Sequence, residues 1–448
     1  MEIRQSSLCL ATDLYEFTMA ASYFKLNLNK KATFSLFMRK PPADRSFFIS
    51  AGLYEALSIL ESFSFSKEEL LYLKSLKMFP EDFLEFLRTF HFEGDVWALP
   101  EGTIFFPNEP VLEVTAPLIQ AQLVETLIIN AINLETMISS KAARCVLAAK
   151  NKAVIDFSAR RTQGIEAGLK VARSSYIAGF VATSNCLAGK MFGIPVTGTM
   201  AHSFVESFDK EEDAFRAFCK LFPNNSVFLV DTYDTIKGTH SAIKVAKEME
   251  KKGKKLIGIR IDSGDLVEMS KKARKLLDEA GLKYVKIFVS GGLDEYKINQ
   301  LIKEDSPIDA FGVGTKMGVS ADAPYLNTVY KMVEIGDRAV AKLSPKKVTW
   351  SGKKQIYRCL DEKGFIKRDI LGLRDEKVKG AIPLLIPVME KGKIVHQENL
   401  NTIKARASSE LESLPNEFKD IEKTPNMEVK PSRGLRELQQ QVLKELSA

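Results

Sequence analysis

The middle of the chain repeats one pattern that few folds accommodate: a short apolar run, then a polar or glycine-rich cluster, then a helical stretch. Seven runs occur within residues 151–325, and most begin about 23 to 32 residues after the previous one, which is the length of a strand-and-helix unit. Because the runs are continuously apolar, we expect parallel strands covered on both faces. The predicted strands are 154–157, 179–182, 194–196, 227–230, 256–261, 286–289 and 309–313.

Seven such strands predict an α/β fold with an irregular (β/α) barrel, in which one unit is irregular or missing; a doubly wound open sheet is the alternative. Residues 1–150 are predicted to form a mixed α/β domain that ends in a long helix beginning at Pro117, and 151–325 to form the barrel with the active site. Residues 326–400 indicate a β-rich segment that returns to the N-terminal domain, so that both ends of the chain build a mixed α+β domain. Residues 401–448 indicate a polar, partly helical tail.

The charge of the chain is unevenly distributed. Lys and Arg number 64 against 57 Asp and Glu, a formal charge of +7, and residues 331–400 account for all of it with 16 basic and 9 acidic side chains. A basic segment can attract phosphates or nucleic acid. Since no aromatic interleaving or RNA-binding motif accompanies the charge, we expect a solvated surface and no nucleic-acid partner.

Cysteine spacing and hydropathy indicate the compartment. The five cysteines lie more than 30 residues apart, and none forms a CxxC pair or a zinc-ligand spacing, which is typical of a reducing environment. No stretch approaches the roughly 18 apolar residues of a membrane-spanning helix, and the N-terminus lacks the apolar core of a signal peptide. We expect a cytoplasmic protein without a membrane partner.

Polar and charged residues follow the predicted strands, where a barrel enzyme carries its reacting groups. Arg160, Arg161 and Arg260 project toward this end, and guanidinium groups pair with carboxylates or phosphates, so they predict an anionic substrate. A surface salt bridge is the alternative and fits Arg161 best. The strand-end loops are 158–163, 197–203, 231–234, 262–265, 290–293 and 314–316.

Two glycine turns predict phosphate binding. Gly291 and Gly292 precede a helical stretch, and Gly314 with Thr315 follows the last strand. Backbone N–H groups without side-chain bulk can cradle a phosphate there, although ordinary βα turns are the alternative. The series that begins at Gly312 misses GxGxxG by one position and no GxxxxGK[ST] occurs, so we expect neither a dinucleotide fingerprint nor a P-loop.

Carboxylates and one histidine complete the predicted site. Asp262 suits ribose hydroxyls, or Mg²⁺ that carries substrate phosphates, whereas Asp265 is either a second ligand or the N-cap of the next helix. His202 is the one histidine of four at a strand end, and Asp231, which ends the next strand, is its candidate partner. A histidine that a carboxylate orients can act as a base or a nucleophile.

Taken together, the motifs resemble those of nicotinate phosphoribosyltransferases. The match runs in order from residue 8 to about residue 360, and seven motifs in sequence are far more specific than any one of them. They are TDLYEFTM (12–19), DFSARRTQG (156–164), GTMAHSFVESF (198–208), VDTYDT (230–235), IRIDSGDL (259–266), SGGLDEYKI (290–298) and FGVGTKM (311–317).

The resemblance implies a type II phosphoribosyltransferase, with a mixed N-terminal domain, an irregular barrel and a homodimer whose active sites are shared. It implies condensation of nicotinate with phosphoribosyl pyrophosphate to nicotinate mononucleotide and pyrophosphate, the first step of nicotinate salvage into NAD. It also implies a requirement for Mg²⁺, whose ligands stay unknown, and ATP hydrolysis coupled through a phosphohistidine.

The resemblance further implies roles for single residues. His202 matches the phosphorylated histidine, Asp231 the carboxylate that orients it, and Asp262 a ribose contact. Contacts to the pyridine substrate are implied for Phe157, which stacks on the ring, for Tyr15, which the second subunit donates, and for Arg160, Thr199 and Arg260 near the carboxylate. The 5′-phosphate cradle is implied for Gly291, Gly292, Gly314 and Thr315.

Four other functions compete with this interpretation. A quinolinate phosphoribosyltransferase is one of them, but it would decarboxylate its substrate and its motifs differ more. A nicotinamide phosphoribosyltransferase on the same fold is the nearest, but a carboxylate substrate makes better use of Arg160 and Arg260 than a neutral amide does. A nicotinamide-dependent oxidoreductase needs an intact GxGxxG with an acidic residue about 20 positions further on. A basic, non-enzymatic binding module leaves the clustered Asp, His and Arg residues unexplained.

Overall fold

The chain forms two compact units in a computed structural model that describes residues 5–342 and 349–447. One unit combines Met1–Ser140 with Tyr325–Ala448, and the other is Lys141–Pro324. Residues 343–348, which belong to the predicted β-rich segment, lie outside the described residues. The predicted α/β fold is confirmed, as is the prediction that both ends of the chain build one mixed domain.

Seventeen α-helices and two 3₁₀ helices, Gln5–Leu10 and Ala159–Arg161, occur in the described residues. The α-helices are α1 (Leu14–Lys25), α2 (Leu53–Ser62), α3 (Lys67–Ser75), α4 (Glu81–Arg88), α5 (Leu118–Leu123), α6 (Glu125–Ala149), α7 (Ile165–Ile177), α8 (Cys186–Phe192), α9 (His202–Glu206), α10 (Glu211–Leu221), α11 (Thr235–Glu250), α12 (Leu266–Glu279), α13 (Glu295–Lys303), α14 (Thr315–Gly318), α15 (Leu400–Ser413), α16 (Asn416–Lys419) and α17 (Arg433–Ser447). The long helix predicted from Pro117 is divided in two at Val124, between α5 and α6. No helix among the described residues is both long and apolar enough to cross a bilayer.

Nineteen strands occur in the same residues. They are β1 (Lys31–Met38), β2 (Phe48–Ile49), β3 (Asp95–Ala98), β4 (Ile104–Phe105), β5 (Pro110–Pro117), β6 (Ala153–Asp156), β7 (Ala182–Thr183), β8 (Val227–Leu229), β9 (Gly258–Ile261), β10 (Lys286–Val289), β11 (Ala310–Val313), β12 (Thr328–Ile335), β13 (Arg338–Ala339), β14 (Lys354–Leu360), β15 (Ile366–Leu373), β16 (Ile382–Pro383), β17 (Ile386–Glu390), β18 (Lys393–Ile394) and β19 (Val429–Pro431).

In the first unit, both ends of the chain contribute to one antiparallel sheet. Its seven strands run in the order β13-β12-β1-β5-β3-β17-β18. Strand β12 pairs with β1 and stacks Tyr330 on Phe34, with 4.8 Å between the ring centroids. Every residue of β1 after Lys31 is buried, so the strands that follow residue 325 complete the core of this unit.

The C-terminal tail is packed into the first unit. Strand β19 joins a second sheet of order β16-β14-β15-β19 by pairing with β15. Arg358 of β14 donates to Asp369 of β15 at 2.6 Å and to Glu410 of α15 at 2.7 Å, and Arg358 and Asp369 are buried. A buried charge that loses its partner is left poorly solvated, which is energetically costly. Since Glu410 of α15 is one of the two partners of the buried Arg358, α15 stabilises this sheet.

In the second unit, six parallel strands form a curled sheet in the order β7-β6-β11-β10-β9-β8. The last strand, β11, pairs with the first, β6, as in a closed barrel. The third predicted strand, 194–196, is reduced to a bridge between Thr183 and Val196. Gly193 ends α8 in a left-handed conformation, so the extended segment is short. Because Pro195 within it has no N–H to donate, the segment cannot form a regular ladder of backbone hydrogen bonds. The predicted irregular unit is therefore here, and the barrel is open between Val196 and β8.

Candidate active site

The predicted site residues of the second unit collect at the carboxyl ends of neighbouring strands. Strands β6, β11, β10, β9 and β8 lie side by side and run parallel, so the loops that follow them meet at one edge of the sheet. Residues after each strand contribute to this edge, which is the place where barrels bind substrates.

Arg260, near the end of β9, is the most connected side chain of the edge. Its Nε donates to Ser290 Oγ at 2.9 Å, and its Nη1 donates to Thr199 Oγ1 at 3.0 Å and to the carbonyl of Met200 at 3.2 Å. Its Nη2 donates to Asp262 Oδ1 at 3.0 Å. These bonds engage four of the five N–H groups that a guanidinium has, so one Nη2 hydrogen is left for a ligand. Through Thr199 and Met200, Arg260 also holds the 197–203 loop to β9 across the open side of the barrel.

Asp262 is held as a carboxylate. Its Oδ1 accepts from Ser290 Oγ as well as from Arg260. Burial acts to raise the pKa of Asp262, but the hydrogen bonds from Ser290 and Arg260 outweigh it, and the pKa lies below its usual value. The site therefore presents a fixed negative oxygen beside a fixed guanidinium.

The ring of Phe157 forms an apolar wall of the same edge. The Arg260 guanidinium carbon lies 5.5 Å from the ring centroid, within the range of a cation–π contact. A side chain at Gly312 would come within 2.6 Å of the ring, so the glycine makes room for it. The Phe157 amide donates to the carbonyl of Val313 at 2.8 Å, which fixes the backbone that carries the ring.

A buried network of hydrogen bonds around Asp156 anchors the loop that carries Phe157. This network was not predicted from the sequence. Asp156 is fully buried and accepts from Ser158 Oγ at 2.5 Å, from the Ser158 amide at 2.9 Å and from Thr183 Oγ1 at 2.7 Å. Burial raises the pKa of Asp156 against these hydrogen bonds. The sequence signal for this network is that Asp156 is an acidic residue one position before the end of the predicted strand 154–157.

His202 begins α9 and is partly buried. Its Nδ1 lies 3.2 Å from Thr232 Oγ1. Asp231 instead directs Oδ2 at the Asp262 amide, at 2.9 Å, and at Ser263 Oγ, at 2.6 Å. The expected pairing of Asp231 with His202 is not among the hydrogen bonds of the described residues, because the carboxylate turns toward the β9 loop. Thr232 was not predicted as the partner; it follows Asp231 directly in the strand-end loop 231–234, and that position is the sequence signal for it.

The two glycine turns differ in what surrounds them. Gly291 has φ +88°, and a side chain there would lie 1.8 Å from the carbonyl oxygen of Asp262, so the turn packs directly on the β9 loop. Gly292 has φ +64° with open space around it. Gly314 precedes α14, and a side chain there would lie 3.2 Å from the Phe157 carbonyl. Thr315 is exposed beside it.

The remaining predicted residues lie in different surroundings. Arg160 is exposed on the 3₁₀ turn and has no ion pair among the described residues. Asp265 accepts from the amides of Val267 and Glu268 as the N-cap of α12, the alternative that the sequence left open. Tyr15 lies in α1 of the first unit and is 47 % exposed.

Metal ligation by side chains alone finds little support. No group of three His, Cys, Asp or Glu side chains that could hold a metal ion occurs in residues 5–342 or 349–447. Asp231 Oδ1 is a candidate donor, since it is buried and has no hydrogen-bond partner within the part of the chain that the structure describes. Mg²⁺ binds proteins through one or two carboxylates together with substrate phosphates, and a single carboxylate oxygen at this edge fits that mode.

Comparison with known proteins relates the chain to nicotinate phosphoribosyltransferases. Residues 10–133 match the family model described as nicotinate phosphoribosyltransferase N-terminal domain, and residues 153–365 match the nicotinate phosphoribosyltransferase family. The chain is 46% identical over 426 residues to nicotinate phosphoribosyltransferase pncB2 of Mycobacterium tuberculosis, covering 95% of this chain and 91% of that protein. It is 40% identical to the Bacillus subtilis nicotinate phosphoribosyltransferase, covering 84% and 78%. The structure of human nicotinic acid phosphoribosyltransferase superposes with a TM-score of 0.86 at 28% identity, covering 97% of this chain and 99% of that one.

Proposed function

The chain belongs to the nicotinate phosphoribosyltransferase family, and we propose that it condenses nicotinate with phosphoribosyl pyrophosphate to nicotinate mononucleotide and pyrophosphate, a step that brings nicotinate into NAD synthesis. The observation that carries the proposal is the fixed pair of Arg260 and Asp262 between the Phe157 ring and the glycine turns. This edge offers a cation for a carboxylate, an apolar face for a ring and an anion for a sugar.

We propose that the pyridine ring stacks on Phe157 and that its carboxylate meets Arg160. Four donors of Arg260 are engaged within the protein, whereas Arg160 has no ion pair among the described residues, so Arg160 has the freer guanidinium. The remaining Nη2 hydrogen of Arg260 and the Thr199 hydroxyl complete the contact. Charge-assisted hydrogen bonds are stronger than neutral ones, which favours nicotinate over nicotinamide.

The ribose phosphate fits the other side of the edge. Asp262 accepts hydrogen bonds from ribose hydroxyls, and the amides of Gly292, Gly314 and Thr315 donate to the 5′-phosphate. The bond from the anomeric carbon to pyrophosphate breaks while the bond from the pyridine nitrogen forms. Positive charge develops on the sugar in the transition state, and the Asp262 carboxylate stabilises it.

Mg²⁺ supplies charge neutralisation for the leaving pyrophosphate when it is bound. We propose that substrate phosphate oxygens provide most of its ligands and that Asp231 Oδ1 provides the protein oxygen. The Asp262 amide and the Ser263 hydroxyl donate to Asp231 Oδ2, and these hydrogen bonds orient the carboxylate so that Oδ1 is left for the ion.

We propose that ATP acts through His202. When Nδ1–H donates to Thr232 Oγ1, Nε2 carries the lone pair and attacks the γ-phosphorus of ATP. The bond to the bridging oxygen breaks, ADP leaves, and hydrolysis of the phosphohistidine later releases phosphate. Because no P-loop occurs, the γ-phosphate is expected to use the place that pyrophosphate takes in the transfer step.

We further propose a cytoplasmic homodimer in which Tyr15 contacts the substrate bound to the partner subunit. Tyr15 has 47 % of its surface exposed on α1, so its ring is accessible to a second chain. Size-exclusion chromatography with light scattering tests the dimer, and mixing a Tyr15→Ala chain with a His202→Ala chain tests the sharing. Recovery of ATP-stimulated activity in the mixture, which neither variant should show at the wild-type level alone, supports shared sites, and no recovery contradicts them.

A product assay tests the activity itself. The purified chain is given phosphoribosyl pyrophosphate and Mg²⁺ with nicotinate, nicotinamide or quinolinate, each with and without ATP, and mononucleotides are separated by chromatography. We expect nicotinate mononucleotide from nicotinate, formed faster with ATP. Turnover of nicotinamide alone would contradict the roles of the arginines, and no product from any base would contradict the proposal as a whole.

Two variants separate the ATP step from the transfer step. We expect His202→Gln to form product at the rate of wild type without ATP and to hydrolyse no ATP in coupling. Thr232→Val keeps the histidine but removes the acceptor for Nδ1, so we expect weaker ATP stimulation with unchanged basal transfer. ATP coupling that survives in His202→Gln would overturn the phosphohistidine and leave the transferase activity in place.

A further inference from the structure

A cavity of about 410 Å³ lies between α10 and α11, at the ends of these helices remote from the candidate active site. We name it the helix-end cavity. Helix α11 begins at Thr235, four residues after Asp231, whereas the cavity is lined by Val245 and Met249 near its other end. At 1.5 Å per residue, about 20 Å of helix separates the two places. The cavity is therefore not an extension of the active site.

Three lysines give the helix-end cavity a positive charge. Lys220, Lys252 and Lys254 line it, are exposed, and have no ion pair among the described residues. Arg216, which also lines it, donates to Glu248 and Asp213 at 2.8 Å and to Glu212 at 3.0 Å, and Lys244 also pairs with Glu212, so this cluster carries one net negative charge. The carboxyl ends of two helices each add about half a negative charge, and the total is still smaller than the charge of three ammonium groups. A net positive charge is therefore left over.

The floor of the cavity is apolar. Val245 and Met249 are buried, and Pro223 closes one side. Cys219 lies at the wall with a partly exposed free thiol. Burial raises the pKa of this thiol, while the charge of Lys252, which lines the same cavity, opposes the rise. The ammonium groups and the apolar floor line the same cavity, so one small molecule can contact both.

We propose that the helix-end cavity is a binding site for a small organic anion, one that carries a sulfonate, carboxylate or phosphate on an apolar ring or chain. Lysines contact the anionic group as flexible point charges, and the floor of Val245, Met249 and Pro223 covers the apolar part. A volume near 400 Å³ is in the range of small-molecule sites. The site is independent of the proposed transferase reaction.

Cys219 serves as a reporter for occupancy. The full-length protein is treated with a maleimide, and modification of Cys219 is followed by peptide mass spectrometry in the presence of anilinonaphthalene sulfonate. At ten times the dissociation constant only about one tenth of sites stay free, so we expect modification to slow about tenfold. The exposed Cys186 is the internal control, and its rate should not change.

Two comparisons decide whether charge and floor both matter. The Lys220→Gln/Lys252→Gln/Lys254→Gln variant should lose the protection, while Lys363→Gln/Lys377→Gln/Lys379→Gln, with the same change of charge on exposed lysines of the other unit, should keep it. Inorganic sulfate, which has the charge without the ring, should protect little. Protection that persists without the cavity lysines, or sulfate that protects as well as the organic anion, would overturn the proposal.

Discussion

Arg260 donates from Nη2 to Asp262 Oδ1 at 3.0 Å, and the two residues are separated by one position at the end of a single strand. Alternate residues of a strand point to the same face, so the pair is set by the strand itself. Ser290 of the neighbouring loop bonds to both side chains and fixes their relative orientation. The cation and the anion of the proposed site are thus built as one rigid group.

Replacing this guanidinium by an ammonium group tests the rigid pair. Lysine keeps the charge but cannot hold Ser290, Thr199 and Asp262 together, so we expect Arg260→Lys to lower kcat/KM for nicotinate about 100-fold. Steady-state kinetics measure the loss. Arg274→Lys is the matched control, since Arg274 bonds to backbone carbonyls before β10, and its kinetics should stay near wild type. An unaffected Arg260→Lys enzyme would remove this residue from the mechanism.

The close approach of Gly291 to Asp262 predicts that a single methyl group is disruptive. In Gly291→Ala the added atom would meet the Asp262 carbonyl at 1.8 Å in a backbone of positive φ, so the β9 loop must move. We expect a loss of activity of at least about tenfold, together with the roughly 1 kcal/mol of an alanine at positive φ. Gly253→Ala, with φ +68° and nothing within 4 Å, should show the second effect alone. Equal kinetics for the two variants would contradict the packing argument.

Glu211 makes stability depend on pH near neutrality. Burial first, and then the carboxylates of Asp231 and Asp234, raise the pKa of Glu211 to about 7 against its bond with Ser241. Between the unfolded value of 4.5 and about 7, the folded state holds a proton that the unfolded state releases. This group therefore favours folding most below that range, and its contribution is lost as pH rises through it.

We expect Glu211→Gln to raise the urea midpoint relative to wild type more at pH 8 than at pH 5. Glu212→Gln is the control next to it, because hydrogen bonds from Lys244 and Arg216 lower the pKa of Glu212 despite some desolvation. Glu212 is mostly charged in both states at pH 5 and fully charged at pH 8, so its substitution should shift the midpoint by similar amounts at both. A Glu211→Gln shift that does not change with pH would refute the proton assignment.

The buried ion cluster of the first unit predicts a large loss of stability. Arg358→Gln would leave Asp369 buried without its cation, at a cost of about 3–5 kcal/mol. Arg433→Gln removes a pair with Glu437 that is fully exposed to solvent, so it should change the free energy of unfolding little. Urea unfolding monitored by circular dichroism compares the two. Similar costs would mean that the cluster contributes little and that α15 is held by other contacts.

Much of the barrel was predictable because its signals are local. Apolar runs bounded by glycine and polar residues define strands such as β10, whose predicted and observed ends coincide at 286 and 289. The same holds for the position of Phe157, Asp262 and Gly314 at strand ends, since a strand places its last residues at the edge of the sheet. The predicted third strand, 194–196, is reduced to a single bridge, because the run has only three residues and Pro195 removes one of its backbone donors.

The sequence by itself determined the fold class, the strand ends that carry the chemistry and the family, because each follows from residue types at fixed spacing along the chain. The tertiary structure alone decided which groups touch. It paired His202 with Thr232 rather than Asp231, engaged four donors of Arg260, and left Arg160 without an ion pair among the described residues. Hydrogen bonds depend on differences of a few tenths of an ångström between segments far apart in the chain, and only the packing of strands and loops sets those distances.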